Sequence, residues 1–205
     1  MKIMIVDDHA MIRSGLKDLL AKMPGTVLLE ADSGQSALTL QQAERPGMII
    51  LDLNLPGVSG LELLRQLLES DSNVRILVFS MHGESIYAAR ALQIGAKGYV
   101  SKNASPEELR TAVSRVAAGQ SYVEADIAQQ LAAAPAANDQ RQQLSERDLE
   151  ILRLLGEGRS FTDIAAALGL GYKTVANTAT QIKAKLGVSR TADLIRLSVE
   201  MGTPR

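Results

Sequence analysis

The chain has 205 residues, 46% of them hydrophobic but only 3% aromatic, and a formal net charge of −1, so it is predicted to pack around an aliphatic core rather than to be disordered. It has no cysteine and two histidines, which excludes disulfides, thiol catalysis and metal sites that need cysteine or several histidines. No apolar run reaches about 18 residues, and the acidic pair Asp7-Asp8 precedes any signal-like stretch, so we expect a cytoplasmic protein.

Charge is divided unevenly along the chain. Residues 1–125 carry 12 basic and 14 acidic residues, whereas residues 141–205 carry 10 basic and 7 acidic ones. A mildly acidic N-terminal part and a mildly basic C-terminal part indicate two domains with different partners.

Residues 1–118 alternate short apolar runs with amphipathic stretches, which predict strands and helices respectively. This alternation, with short connections, predicts a five-stranded parallel sheet that is covered by helices on both faces. The predicted strands are Ile3–Val6, Val27–Leu29, Met48–Leu51, Val74–Phe79 and Gly98–Val100, and the predicted helices span residues 10–21, 34–44, 59–69, 84–94 and 106–118.

The last of these helices has a full start signal. Ser105 can cap it, Pro106 suits the first turn, and Glu108 completes a capping box. After it, residues 121–131 predict one more helix. Residues 132–142 are rich in Ala, Asn and Gln without apolar periodicity, and we expect the interdomain linker there.

Everything after Leu144 is predicted to be helical. Ser145 with Asp148, and Ser160 with Asp163, match the start signal of a helix. The short connection at residues 169–171, between a short helix and a longer one, predicts a helix-turn-helix. The predicted helices span residues 145–156, 161–168, 172–186 and 190–201.

Acidic side chains follow two predicted strands: Asp7 and Asp8 follow the first, and Asp52 follows the third. Because parallel strands end at the same edge of a sheet, these three carboxylates can converge, and they repel one another unless a cation is present. Oxygen ligands with room for water suit Mg²⁺ or Mn²⁺. Taken alone, the Asp7-Asp8 pair is explained equally well as a cap for the next helix.

Two further strand ends carry polar groups. Ser80 ends the fourth strand with a hydroxyl, and Lys102 follows the fifth with an ammonium. Together with Asp52, these groups suit an aspartyl-phosphate, because a metal and Lys102 neutralise the phosphoryl oxygens while Ser80 donates to one of them.

Residues 1–118 resemble the receiver domain of bacterial two-component response regulators. The motifs VDDH at 6–9 and LDLNLPG at 51–57, with Ser80, Tyr99 and Lys102, occur in the family's order, and DDHAMIRSGL resembles its NarL/FixJ subfamily. The resemblance implies a doubly wound, flavodoxin-like fold.

The resemblance also implies roles for the acidic residues. Asp52 accepts a phosphoryl group from the phosphohistidine of a sensor kinase. Asp8, Asp52 and the backbone carbonyl of Asn54 ligate Mg²⁺, with Asp7 close to the metal through water.

The resemblance further implies which residues respond when Asp52 is phosphorylated. Lys102 pairs with the phosphoryl group, Ser80 moves onto it, and the ring of Tyr99 turns inward when Ser80 moves. Asn103 stands where many receivers have a proline after a cis peptide bond. His82 and Asn54 occupy positions that tune dephosphorylation in the family.

Residues 144–202 resemble the LuxR-type helix-turn-helix. The segments that carry this resemblance are LSERDLEILRLLGEG, DIAAALGL and KTV…I.AKLGV. Residues 172–186 would be the recognition helix, with Val175, Ile182 and Leu186 facing inward. Asn and Gln side chains on the other face can read adenine edges, and lysines can reach phosphates. The predicted DNA-binding residues are Lys173, Thr174, Asn177, Thr180, Gln181, Lys183 and Lys185.

These observations predict a receiver domain at 1–120, a linker with a helix at 121–143, and a DNA-binding domain at 144–205. The leading hypothesis is a phosphorylation-dependent transcription regulator, not an enzyme, that binds double-stranded DNA and forms a homodimer when phosphorylated.

Two alternatives stay open. The output could bind RNA or protein, because the recognition helix carries little charge. An aspartyl-phosphate phosphatase is disfavoured, because such enzymes place their two aspartates after the first strand.

Overall fold

The computed structural model describes residues 1–21, 23–56, 59–81, 85–133, 144–186 and 188–202. The chain forms two compact units, Met1–Ala128 and Gln129–Arg205. Most of the predicted linker, and His82, lie outside the described residues.

The first unit is built on a parallel sheet in the order β2-β1-β3-β4-β5-β6. This order places the ends of β1, β3, β4 and β5 side by side at one edge, as a doubly wound sheet requires. The strands are β1 (Lys2–Val6), β2 (Val27–Ala31), β3 (Met48–Leu51), β4 (Arg75–Ser80), β5 (Gly98–Ser101) and β6 (Tyr122–Val123).

Helices cover both faces of this sheet. Alternate strand residues, such as Ile3, Ile50 and Val100, form one core cluster with the helices α1 and α5, while the residues between them are buried on the opposite face. Contacts of α2 with α3, and of α3 with α4, run along that opposite face. These helices are α1 (Ala10–Leu20), α2 (Gly34–Glu44), α3 (Gly60–Ser70), α4 (Ser85–Ile94) and α5 (Pro106–Ala117), and α6 (Ala125–Ala133) follows β6.

The sheet has one strand more than the five predicted. Tyr122 and Val123, which we assigned to a helix, instead pair with Gly98 and Tyr99. The approach is close: a Cβ on Gly98 would lie 2.7 Å from the carbonyl oxygen of Tyr122. Tertiary pairing therefore overrides the local helical pattern at these two residues, and the helix begins at Ala125.

The capping box predicted for α5 forms only in part. Ser105 accepts a hydrogen bond from the backbone N–H of Glu108. The carboxylate of Glu108, however, accepts a hydrogen bond from the hydroxyl of Tyr122 at 3.1 Å, which ties α5 to β6.

The second unit is helical, as predicted, with α7 (Glu146–Gly156), α8 (Phe161–Ala167), α9 (Tyr172–Lys185) and α10 (Thr191–Gly202). Both predicted capping boxes, at Ser145 and Ser160, are present. The tight connection between α8 and α9 includes Gly169 at φ +64°, a conformation that favours glycine.

The core of this unit agrees with the predicted helix faces. Val175 and Ile182 are fully buried, whereas Leu186, which we also expected to face inward, is half-buried just after the end of α9. Within the described ranges, the chain contains no helix with the length and apolarity to cross a membrane.

Gly60 allows α3 to start against the backbone of the loop that follows β3. A Cβ there would lie 2.6 Å from the carbonyl carbon of Leu53, and closer still to two other backbone atoms of that residue. We expect Gly60→Ala to lower the free energy of unfolding by about 1–3 kcal/mol, because the backbone must shift to accommodate the methyl group. Urea denaturation measures this change.

Gly15 provides the matched control. It lies inside α1 and its added Cβ would meet nothing within 4 Å. Gly15→Ala should therefore raise stability, by about 0.5–1 kcal/mol. Equal effects of the two substitutions would contradict the close approach at Gly60.

Candidate functional site

The predicted site residues meet at one edge of the sheet. The backbone N–H of Asp52 donates to the carbonyl of Val6 at 2.9 Å, so the ends of β3 and β1 stay paired. The backbone N–H of Lys102 donates to the carbonyl of Ser80 at 2.8 Å and does the same for β5 and β4. Continuous pairing of neighbouring strands therefore brings the residues that follow them together.

Lys102 joins the two buried carboxylates of this edge. Its ammonium Nζ lies 2.6 Å from Asp7 Oδ2 and 2.7 Å from Asp52 Oδ2. The three side chains are 3%, 2% and 1% exposed, respectively. Charges in such an environment interact strongly because little water screens them.

The pKa shifts reflect this burial. Desolvation raises the pKa of the Asp52 carboxyl, although the hydrogen bond and charge of Lys102 act in the opposite direction. Burial by itself lowers the pKa of Lys102, but the hydrogen bonds and charges of Asp52 and Asp7 outweigh it and raise the value. Both shifts have the sign expected of a buried site with more carboxylates than ammonium groups.

Asp8 and His9 form the solvent side of the site. His9 Nδ1 lies 2.7 Å from Asp8 Oδ1 and 3.2 Å from Asp7 Oδ1, and the side chains of Asp8 and His9 are 32% and 64% exposed. Ligand atoms of Asp7, Asp8, His9 and Asp52 lie within 4.8 Å of one another.

These residues fit a hard divalent cation. Three carboxylates and one ammonium leave an excess of negative charge, and the exposed side of Asp8 leaves room for water ligands. Mg²⁺ prefers oxygen ligands and retains water, so the aspartates rather than the His9 ring match it.

Sequence reasoning missed two neighbours of the carboxylates. His9 donates its backbone N–H to Asp7 Oδ1 at 2.8 Å, and the guanidinium of Arg13 donates to the backbone carbonyl of Asp7 at 2.7 Å. Arg13 lies one turn of α1 beyond His9, so the helical spacing after the Asp-Asp pair was the signal that could have found it.

Three further predicted residues lie at or near this edge, and their roles stay predictions. Asn54 donates its backbone N–H to Asp52 Oδ1 at 3.0 Å. The side chains of Ser80 and Tyr99 are fully buried. Every described peptide bond is trans, which includes the bond before Asn103.

The second unit displays most of the predicted DNA-binding residues on one face of α9. Lys173, Thr174, Asn177, Thr180 and Gln181 are exposed, and Lys183 and Lys185 are half-buried.

One of these lysines is engaged inside the unit. The ammonium of Lys185 lies 2.5 Å from Asp148 Oδ2, the carboxylate that also accepts the backbone N–H of Ser145 at the start of α7. A phosphate contact by Lys185, which stays a prediction, would have to share this ammonium with Asp148.

A doubly wound parallel sheet with an acidic edge and a buried lysine, joined to a helix-turn-helix unit, defines the response-regulator class of proteins. Residues 3–114 match the family described as response regulator receiver domain, and residues 142–198 match bacterial regulatory proteins of the luxR family. The chain belongs to the two-component response regulators with a receiver domain and a LuxR-type DNA-binding domain.

Individual proteins support this assignment. The chain is 42% identical over 211 residues to the transcriptional activator protein ExaE of Pseudomonas putida, covering 100% of this chain and 99% of that protein. It is 39% identical to a LuxR-family two-component response regulator from Aurantimonas sp. SI85-9A1, with a TM-score of 0.62 over 64% of this chain and 94% of that one.

A more distant structure matches nearly the whole chain. RcsB from Salmonella enterica serovar Typhimurium, bound to promoter rprA in the presence of phosphomimetic BeF3-, has a TM-score of 0.75 at 22% identity, over 97% of this chain and 98% of that one. This likeness supports the fold.

Removal of the Lys102 ammonium tests its structural role. Lys102→Met leaves the buried carboxylates of Asp7 and Asp52 without the ammonium between them, and we expect it to cost about 3–5 kcal/mol of stability in the presence of a chelator. Addition of Mg²⁺ should raise the melting temperature of this variant more than that of the wild type, because one cation replaces another. Thermal unfolding with EDTA and with MgCl₂ measures both effects.

Lys17→Met is the matched control, because Lys17 pairs with Glu30 at 2.6 Å on the exposed surface. It should change stability by less than about 1 kcal/mol. A Lys102→Met protein that is as stable as wild type in EDTA, or that gains no more from Mg²⁺, would contradict the bridging role.

Proposed function

We propose that this chain is a phosphorylation-controlled transcription regulator in which Asp52 accepts a phosphoryl group from a sensor histidine kinase. The position of Lys102 between Asp7 and Asp52 is the observation that carries this proposal. A buried carboxylate with a fixed ammonium at hydrogen-bond distance is a nucleophile whose phosphorylated form meets a cation that is already in place.

The residues at this edge of the sheet have different roles in phosphoryl transfer. One carboxylate oxygen of Asp52 attacks the phosphorus atom, and the bond from phosphorus to the imidazole nitrogen of the donor breaks. Asp52, Asp8 and the Asn54 carbonyl would ligate Mg²⁺, with Asp7 close by through water. The metal ion, when bound, supplies further positive charge for the phosphoryl oxygens. Lys102 then pairs with the phosphoryl group.

A switch follows from the groups around the site. Ser80 donates its hydroxyl to a phosphoryl oxygen, and Tyr99 responds to the movement of Ser80. The hydrogen bond from the backbone N–H of Lys102 to the backbone carbonyl of Ser80 supports this assignment, because it keeps these two residues next to each other at the sheet edge. The fully buried Tyr99 side chain has the inward position expected of the switched ring.

The output is DNA binding by the second unit as a homodimer. The exposed polar face of α9 supports major-groove binding, with α10 as the dimerisation element. We infer domain limits of 1–120 for the receiver, 121–143 for the linker and 144–205 for the DNA-binding domain, and the pairing of β6 with β5 supports extending the receiver through Val123. The protein acts in the cytoplasm as a regulator, not as an enzyme.

Phosphorylation can be tested directly by intact-mass spectrometry. Incubation with acetyl phosphate and Mg²⁺ should add one phosphoryl group to the wild type and none to Asp52→Asn, because the substitution replaces the nucleophilic carboxylate with a neutral amide. Asp18→Asn, on the exposed surface of α1, is the control and should react like the wild type. An undiminished yield in Asp52→Asn would rule out Asp52 as the acceptor.

The salt dependence of binding tests the output. Lys173→Ala should weaken DNA binding at all sequences and reduce the slope of log K against log salt by about 0.9, because one phosphate contact is lost. Lys97→Ala, an exposed lysine of the first unit, should leave the slope unchanged. Fluorescence anisotropy over a salt series gives both values.

RNA of equal length distinguishes the alternative output. Tighter binding of RNA than of DNA, or binding of neither, would contradict the DNA-binding role.

A further inference from the structure

Three exposed polar side chains lie close together in the middle of α9. Asn177, Thr180 and Gln181 are all exposed and fall on the same side of the helix, since three and four residues correspond to about one turn. Within the part of the chain that the structure describes, neither the Asn177 amide nor the Gln181 amide has a hydrogen-bond partner. Both amides therefore keep a donor and an acceptor for a ligand.

Thr180 adds an apolar group next to these amides. Its hydroxyl donates to the backbone carbonyl of Ala176 at 3.0 Å, so its proton is used within the helix. The γ-methyl group is the apolar part of this exposed side chain. Ala184, one turn further along, is also exposed and adds a second methyl group to the same side.

Cations are absent from the centre of this face. Lys173 lies near the start of α9, and Lys183 and Lys185 lie near its end. Of these, Lys185 is held by Asp148. Guanine is read in the major groove chiefly by arginine or lysine, which contact its two acceptors. The centre of α9 therefore lacks the groups that favour G·C base pairs.

The groups that are present match A·T base pairs. Asparagine and glutamine amides pair with the N6 donor and the N7 acceptor of adenine, and a threonine or alanine methyl group contacts the 5-methyl group of thymine. We propose that α9 reads A·T base pairs at the centre of its site, with Asn177 and Gln181 on adenines and the methyl group of Thr180 against a thymine methyl group. This inference rests on the proposed function, since it assumes that α9 enters the major groove of DNA.

The test starts with the phosphorylated full-length chain and a pool of random DNA duplexes. Sequences selected by binding should have A·T pairs at the central positions of each half-site. The thymines at these positions are then replaced by uracil, which differs only by the absence of the 5-methyl group. Loss of one methyl contact should weaken binding by the wild type about fourfold per contacted thymine.

Two substitutions assign this effect to Thr180. Thr180→Val keeps a methyl group at the same place and should retain the difference between thymine and uracil duplexes. Thr180→Ser keeps the hydroxyl but removes the methyl group, and should bind the two duplexes equally.

Thr178→Ser is the matched control. The hydroxyl of Thr178 makes the same kind of bond, to the Thr174 carbonyl at 2.9 Å, but the residue is half-buried on the flank of α9. This variant should therefore still discriminate against uracil as the wild type does.

The outcomes distinguish failure of the A·T reading from failure of the proposed DNA-binding function. Selection of G·C pairs at the central positions, or a uracil effect that persists in Thr180→Ser, would overturn the A·T reading while DNA binding itself stands. Failure to enrich any duplex from the pool would overturn the DNA-binding function and the A·T reading with it.

Discussion

The contact of the Lys102 ammonium with Asp7 and Asp52 is the interaction on which the first unit depends. It joins three strands, because its members follow β1, β3 and β5. It is also the least screened charge cluster described in the chain, whereas pairs such as Lys17 with Glu30 lie in solvent. Two buried carboxylates so close together tolerate each other only with a cation between them. The ammonium that stabilises the folded edge is also the group that, under the proposed function, would pair with the phosphoryl group on Asp52.

Much of this site follows from a simple periodicity. Asp7, Asp52 and Lys102 each stand two residues after a member of one core cluster, namely Ile5, Ile50 and Val100. Because side chains alternate along a strand, these three fall on the same side of the sheet edge and meet. Asp8 is one residue out of step and is directed towards solvent instead. We predicted the convergence of all three aspartates from strand ends, but alternation explains which of them Lys102 contacts.

Sequence reasoning was accurate for elements whose signals are local. Helical periodicity and the caps at Ser145 and Ser160 predicted most helix bounds to within a residue or two. It failed where distant partners decide the conformation. The strand Tyr122–Val123 exists because β5 offers an edge with a glycine at the point of contact, and no pattern within two residues can reveal that. The ion pair of Lys185 with Asp148 spans separate helices and is equally invisible in the sequence.

That ion pair has a consequence for how α9 meets any ligand. Asp148 caps the first turn of α7 and at the same time holds Lys185 in the last turn of α9. Together with the fully buried Val175 and Ile182, this ion pair ties α9 to the rest of the unit before any ligand binds, so less conformational entropy remains to be lost when α9 docks. A preorganised helix of this kind favours discrimination by shape and contact geometry over adaptation to many sequences. Loss of the Asp148 carboxylate would weaken this tie between α7 and α9 and would release the Lys185 ammonium for contact with a ligand.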